Sequence, residues 1–510
     1  MKSLRALCGA LSCAILVLPL VNPVAPAFAG FSQNPERVVF ATRNIYLGSD
    51  VGIAMKKLPN FPAAAQFMWD QMKANDFAQR APLLAQELIG SGAQVIGIQE
   101  ATTWRCRTGF FADEVVVYDF LNELLAALKS KGANFSIAQA GVNGQRALNP
   151  GFEISPIPHL TMVTDKALFP SIFGKERAAC GFTISDALLV RDDVEVLDSG
   201  TSEFSATYSI IPTLMTIYRG YAWADLRIGA STFRTITTHL ESLWDADAIP
   251  NAAIQADQLI ADLKDAKMPV VLLGDFNSDP RDPRPSDDLA VNPGAQPSAS
   301  ATCRAQIAQP TASTAIETCS AYWKFIKGGF IEISPDALDP RNYSWGADAL
   351  LAGPMPDRIT PSLKMGGNGT FTDRLDYIMV KNGQSAFNGA IFGNQWPEGL
   401  DTWRCSSPEQ LSLTSDGARA LGKRLPSGAG EGRCLPSDHA GIAGAADLAA
   451  NDLRDPPLPE RARSPFTFWR VTGALSALGV VALIGWRVRA RQRRKERQRA
   501  QESGVSGAVE

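Results

Sequence analysis

Two of the three histidines in this 510-residue chain sit in short polar motifs after apolar runs, Thr237-Thr238-His239-Leu240-Glu241 and Ser437-Asp438-His439. Between them, Pro269-Val270-Val271-Leu272-Leu273-Gly274-Asp275-Phe276-Asn277 reads as a buried strand whose polar end delivers an Asp and an Asn. Two imidazoles, two carboxylates and an amide are the parts of a hydrolytic phosphate site. Phosphodiester hydrolysis needs a water made nucleophilic, a cation to offset phosphoryl charge, and donors for the transition state and leaving oxygen. A neutral His439 suits the first task, held in one tautomer by a carboxylate such as Asp376 in Arg374-Leu375-Asp376-Tyr377. His239, if protonated, suits donation to a phosphoryl oxygen or the leaving group. His159, in Pro158-His159-Leu160, has no such context and is read as structural.

Val95-Ile96-Gly97-Ile98-Gln99-Glu100 is a second apolar run ending in a carboxylate, an arrangement that sets a hard oxygen ligand for Mg²⁺ at the lip of a sheet. Asn44, in Thr42-Arg43-Asn44-Ile45-Tyr46, is a turn residue within the same chemistry. The i, i+2 spacing of Asp275 and Asn277 would send both side chains to one side. The carboxylate that orients His239 stays open between Glu153 and Asp186.

The ordered series Thr-Arg-Asn44-Ile, Ile-Gln-Glu100, Thr-His239-Leu, Gly-Asp275-Phe-Asn277, Arg-Leu-Asp376-Tyr and Ser-Asp438-His439 resembles the endonuclease/exonuclease/phosphatase superfamily, from about Val38 to Leu448. The resemblance implies an α/β (α+β) DNase I-like four-layer sandwich, with two mixed β-sheets packed face to face and helices outside. It implies Mg²⁺, or Mn²⁺ or Ca²⁺, held by Glu100 with Asn44 and supported by Asp438. Asp275 and Asn277 would orient water and bind phosphate, Asp376 and His439 would act as base, and His239 would sit across the phosphate.

These motifs need elements to carry them. Apolar runs predict strands at Val38 to Ile45, Val95 to Gln99, Phe135 to Gln139, Ala187 to Val190, Ala222 to Ile228, Phe233 to Thr238, Val270 to Leu273, Leu375 to Val380 and Gly441 to Leu448. Helices are expected at Pro62 to Ile89, with a break near Asn75, at Tyr118 to Lys129 and at Asn251 to Asp265. The stretches Arg281 to Ser313 and Gly393 to Gly432, rich in Pro, Ser, Gly and Ala, read as loop excursions.

The two ends read differently from the body, which spans 30–450. Residues 1–29, with Lys2, Arg5, an apolar stretch and Ala27-Phe28-Ala29, fit a signal peptide. A linker at 451–465 precedes a membrane helix at 466–488, whose centre, Val471 to Trp486, is 16 residues without a charge. The Arg-rich tail at 489–510 would then lie in the cytoplasm, making an exported single-pass protein of the cell membrane with the catalytic domain outside. Residues 30–486 hold 39 basic and 49 acidic residues, which argues against a general footprint for duplex DNA. Six cysteines remain after the signal: Cys106, Cys180, Cys303, Cys319, Cys405 and Cys434. They allow 15 pairings, of which the sequential one closes the shortest loops.

The expected activity is a metal-dependent phosphoesterase acting on a lipid headgroup, a nucleotide or an extracellular nucleic acid, with no obligate protein partner. A secreted or anchored nuclease and a sphingomyelinase-type lipid phosphodiesterase are the alternatives, although no aromatic hairpin for membrane insertion is evident. A surface-binding protein that kept the scaffold without turnover is the reading from another class.

Overall fold

A computed structural model describes residues 37–462, apart from 157–160, 169, 212–214, 244–247, 283–302, 304–317, 386–388, 398–400, 423–424 and 427. The expected signal peptide, membrane helix and basic tail, His159, and most of the 281–313 excursion lie outside the described residues. Among those described, no helix is long and apolar enough to cross a membrane. On that finding the expected placement as a single-pass membrane protein is withdrawn.

The apolar runs pair into two large sheets. In the first, β1 (Arg37–Asn44) runs parallel to β2 (Val95–Arg107), and β2 pairs antiparallel with β3 (Val115–Asp119) and β7 (Arg177–Arg191). Beyond β7 lie β4 (Phe135–Ile137), β5 (Leu148–Ile154) and β6 (Met162–Thr164). On the other side of β1 are β20 (Gly441–Asp447) and two short strands paired with it, β16 (Gln384–Ser385) and β17 (Ala390–Phe392).

The second sheet has the order β14 (Ile331–Glu332), β15 (Asp376–Lys381), β13 (Val270–Asp275), β12 (Ser231–His239), β11 (Gly220–Ile228) and β8 (Glu195–Glu203). Only β12 and β13 are parallel in it. Two small two-stranded sheets complete the described strands, β9 (Tyr208–Ile211) with β10 (Met215–Ile217), and β18 (Trp403–Arg404) with β19 (Arg433–Cys434).

The sheets pack face to face through Val38, Phe40, Val95, Leu188, Phe233, Val271, Leu273 and Ile442. Phe40 and Phe233 meet edge to face across the gap at 5.8 Å. Gly97 lets the layers close, because a Cβ there would lie 2.6 Å from Thr237 Oγ1.

Helices α1 (Val51–Lys56), α2 (Phe61–Ala74), α3 (Phe77–Gly90) and α4 (Phe120–Ser130) cover the outer face of the first sheet. Helices α5 (Asn251–Asp262) and α6 (Ala321–Lys327) cover the second. The result is the expected α/β sandwich, two mixed sheets with helices outside. The break between α2 and α3 falls at Asn75, whose amide caps Gly48 O and Ala349 O at 2.8 and 3.0 Å. Two more helices, α7 (Pro356–Met365) and α8 (Pro408–Leu421), stand beside the sandwich.

Three differences from the sequence reading have physical causes. Part of the 393–432 excursion is α8, started by a capping box between Ser407 and Gln410 that its small polar composition obscured. Residues 451–461, expected as linker, are pinned along the second sheet: Asp455 accepts from Lys267 N, Arg461 pairs with Asp262 at 2.7 Å, and Leu458 is buried. The turn after β2 carries Phe110 and Phe111, 53% and 101% exposed, an exposed aromatic pair that composition does not reveal. The disulfides follow the sequential pairing, Cys106–Cys180, Cys303–Cys319 and Cys405–Cys434. The first links facing positions of β2 and β7.

Candidate active site

Three strand ends of the second sheet meet in register. His239 closes β12 opposite Asp275 at the end of β13, and Asp275 stands opposite Asp376 at the start of β15. Gly274 is what allows that end, with φ +149° and a would-be Cβ only 2.0 Å from Thr238 O. Asn44 comes from the end of β1, Glu100 from within β2 at its register shift between Ile98 and Ala101, and Asp438 and His439 from the loop entering β20. The edges of both sheets therefore open onto one cleft of about 300 Å³, lined by Glu100, His239, Asp275, Asn277, Asp438 and His439 among others.

His439 Nδ1 lies 2.9 Å from Asp376 Oδ2, and Ser344 Oγ donates to the same oxygen at 2.7 Å. Its other nitrogen, Nε2, is 3.6 Å from Asp275 Oδ2, and His239 Nε2 is 3.5 Å from that oxygen. Asn44 Nδ2 donates to it as well at 3.1 Å, while Asn44 Oδ1 accepts from Tyr46 N–H at 2.9 Å. Asn44 thus braces Asp275 in addition to lying near Glu100. Asn277 N–H donates to Asp275 Oδ1 at 2.9 Å, and its side chain donates to Leu240 O at 2.8 Å.

Of the two carboxylates weighed for His239, Asp186 is the one that lies near its ring. Its Oδ1 lies 3.9 Å from His239 Nδ1, which has no hydrogen bond of its own although buried. Glu153 is exposed on β5.

Burial raises Asp275 to about 7, with His439 opposing, and raises Asp186 to about 8, with Arg219 opposing. Asp438 is raised to about 6, by burial first and by the neighbouring charge of Glu100. Burial works against a charge on His439, but Asp376, Asp275 and Asp438 outweigh it and lift the ring to about 10. His239 goes the other way: burial, the Arg219 guanidinium and His439 hold it well below the ordinary imidazole value. It therefore offers a neutral N–H, whereas the sequence reading had it donating as a cation.

Among the described residues, Asp275, Asp376 and His439 also group tightly enough to be taken for metal ligands, with one atom of each within 4.8 Å of the others. The bond of His439 Nδ1 to Asp376 makes that pair a tautomer-fixing dyad instead, since it occupies the ring nitrogen with a carboxylate. Glu100 and Asp438 line the same cleft, and the charge of Glu100 helps to raise Asp438. One Glu100 oxygen already accepts from Leu47 N–H at 2.7 Å, which fixes the carboxylate at the lip.

The loops are held together by buried polar side chains, of which Arg80 lies outside every motif. Arg80, wholly buried on α3, donates to Ile45 O, Tyr46 O, Asn75 O and Pro436 O at 2.7 to 3.3 Å. It ties the loop after Asn44 to the loop before Asp438. Arg43 donates to His439 O and pairs with Glu87 at 2.8 Å. Below the cleft, Thr42 Oγ1 donates to Gln99 Oε1 at 3.1 Å and Gln99 Nε2 to Thr237 Oγ1 at 2.9 Å, so the two sheets share one polar relay. A buried arginine in a sequence looks like any other arginine, and only burial marks it.

Several solved structures are similar. An endonuclease/exonuclease/phosphatase family protein from Bacteroides thetaiotaomicron is 14% identical, with 81% of this chain and 98% of that one covered and a TM-score of 0.38. A mannosyl-6-phosphatase from the same organism is 13% identical, with 81% and 99% covered and a TM-score of 0.37. Truncated TDP2 from Caenorhabditis elegans is 12% identical, with 81% and 98% covered and a TM-score of 0.34. No curated protein matches the chain. Residues 195–439 match the Endonuclease/Exonuclease/phosphatase family, a segment that holds both motif histidines, Asp275, Asn277, Asp376 and Asp438 and leaves Asn44, Glu100 and Asp186 outside it. The match covers just under half of the chain and is a likeness of that segment, whose motifs open onto the one cleft.

Proposed function

We propose that this chain is a divalent-metal-dependent phosphoesterase that hydrolyses phosphodiester bonds, with His439 as base. The observation that carries the reading is the buried Asp376–His439 pair at 2.9 Å, which directs Nε2 toward the cleft beside Asp275. Glu100 and Asp438 would hold the ion, Mg²⁺ being the first choice for carboxylate oxygens. When bound, the ion offsets phosphoryl charge and takes over from the imidazolium the neutralisation of the surrounding carboxylates.

His439 Nε2 then accepts a proton from water as the water oxygen bonds to phosphorus. Asp275, braced by Asn44 and Asn277 N–H, accepts the water's other hydrogen and fixes its line of attack. The ester P–O bond breaks on the far side, its electron pair goes to the leaving oxygen, and an alkoxide so formed takes its proton from solvent. His239 donates a neutral N–H to a phosphoryl oxygen, with Asp186 as the carboxylate that selects its tautomer. The excess of acidic residues in 30–486 supports small or lipid esters over duplex DNA.

The test is turnover of bis(4-nitrophenyl) phosphate with Mg²⁺ or with chelator, beside His439→Ala. Mg²⁺-dependent release of nitrophenol that the variant loses is the expected result. Chelator-resistant turnover, or full activity in the variant, would sink the mechanism. No turnover of any phosphate ester would favour a binding protein on this scaffold.

A further inference from the structure

A second cavity, about 70 Å³, opens beside the catalytic cleft and shares Val51, Met55 and Phe152 with it. Its volume is several times the roughly 10–15 Å³ that holds one water. The chemistry of its wall is unlike that of the cleft. Ala65 and Met68 of α2, Trp104 of β2, Phe182 of β7, Ile210 of β9 and Met215 of β10 line it, and Thr161 is the only residue with a polar side-chain oxygen among its lining. Trp104 and Phe182 pack at 4.7 Å and Phe182 and Phe152 at 6.0 Å, so its floor is a fixed aromatic surface. Cys106–Cys180 ties β2 to β7 alongside and keeps that floor from spreading.

A catalytic cleft lined by charged side chains that runs into an apolar recess suits a ligand with a charged end and an apolar end. We infer that this recess is a substrate subsite for the aliphatic chain of a phosphate ester, with the phosphate at the His239, Asp275 and His439 cluster. Continuity fixes the occupant: Val51, Met55 and Phe152 belong to both walls, so a chain leaving the phosphate enters the recess without crossing a polar barrier. A nucleotide base or sugar would bury several polar atoms there against the Thr161 hydroxyl and the Trp104 indole N–H alone. The inference rests on the phosphoesterase reading, and it commits that reading to amphiphilic esters.

The test is a series of alkyl 4-nitrophenyl phosphate diesters, methyl, butyl and octyl, kept dissolved as monomers, with the full chain and Mg²⁺. The expected kcat/KM rises about fourfold per methylene until the chain outgrows the recess. Ala65→Phe fills the recess and flattens that rise while leaving methyl-ester turnover unchanged; Ile210→Ser lowers it from the opposite wall if the first variant is poorly folded. Calorimetric titration of octylphosphonate against methylphosphonate reads the same subsite without turnover, and tighter binding of the octyl compound is expected.

Equal kcat/KM along the series with good methyl-ester turnover would overturn the subsite and leave the phosphoesterase intact. Equal affinity of the two phosphonates would overturn it too. No turnover of any member, by contrast, strikes the phosphoesterase reading itself. Repeating the assay with phosphatidylcholine vesicles separates the sources: chain dependence for dissolved esters alone supports the subsite for a soluble ester, and hydrolysis in vesicles supports it for a bilayer lipid.

Discussion

Asp275 stands directly opposite Asp376 on adjacent antiparallel strands, and its Oδ2 lies within 3.6 Å of an imidazole nitrogen of both His239 and His439. One carboxylate thus spans the two histidines while its strand neighbour fixes the tautomer of one of them. The two acids do different work because their partners differ. Asp376 is committed to His439 Nδ1 and Ser344, whereas Asp275 faces the cleft.

The first prediction concerns the dyad. Asp376→Asn keeps the shape but offers Nδ1 the wrong partner, and kcat on an aryl phosphodiester should fall by about 10²–10⁴. His439→Ala should fall at least as far. Ser344→Ala removes one hydrogen bond to Asp376 Oδ2 and should cost roughly tenfold. If Asp376→Asn turned over at the wild-type rate, His439 would not be the base.

Metal binding has a readout independent of turnover. Saturating Mg²⁺ at about 100 times its Kd should stabilise the folded chain by about 2.7 kcal/mol, visible as a rise in Tm. Glu100→Gln should abolish that rise and need far more Mg²⁺ for activity. An unchanged Mg²⁺ response in Glu100→Gln would remove that residue from the ligand set.

Asp186 should trade stability for position. Its folded value, about 8, lies above the ordinary 3.8 because of burial. The unfolded chain ionises it first, so it lowers stability progressively as pH rises from about 4 to 8. Asp186→Asn removes that slope. With chelator present, its Tm should exceed the wild type's at pH 8 and converge with it toward pH 4. Activity should drop roughly 10–100-fold, since His239 Nδ1 loses its carboxylate. A variant less stable than wild type at pH 8 would contradict the burial argument.

Closure of the two sheets depends on Gly97. In Gly97→Ala the new methyl meets Thr237 Oγ1 at 2.6 Å and Leu273 Cβ at 3.1 Å, in the layer that also holds the Gln99–Thr237 hydrogen bond. A cost of about 1–3 kcal/mol is expected in urea unfolding. No measurable loss would mean that the layers have slack at this level.

The chemical inventory and the strands that deliver it are legible in the order of the residues. His239, Asp275, Asp376 and Glu100 each end or begin an apolar run, and alternation with turn residues is a local signal that survives without the fold. The same is true of the break at Asn75 and of the cysteine pairing, where chain proximity coincided with structure. What only the tertiary structure decided depends on distance across the chain. Asp186 and Glu153 were equal candidates until β5 and β7 were paired, which turned one to His239 and left the other exposed. Arg80 and Arg43 position the catalytic loops through carbonyls far away in sequence, and the apolar recess exists only because α1 and α2 pack beside β2, β5 and β7. Burial and long-range register leave no periodic trace, so the sequence names the reacting groups while the packing chooses their partners.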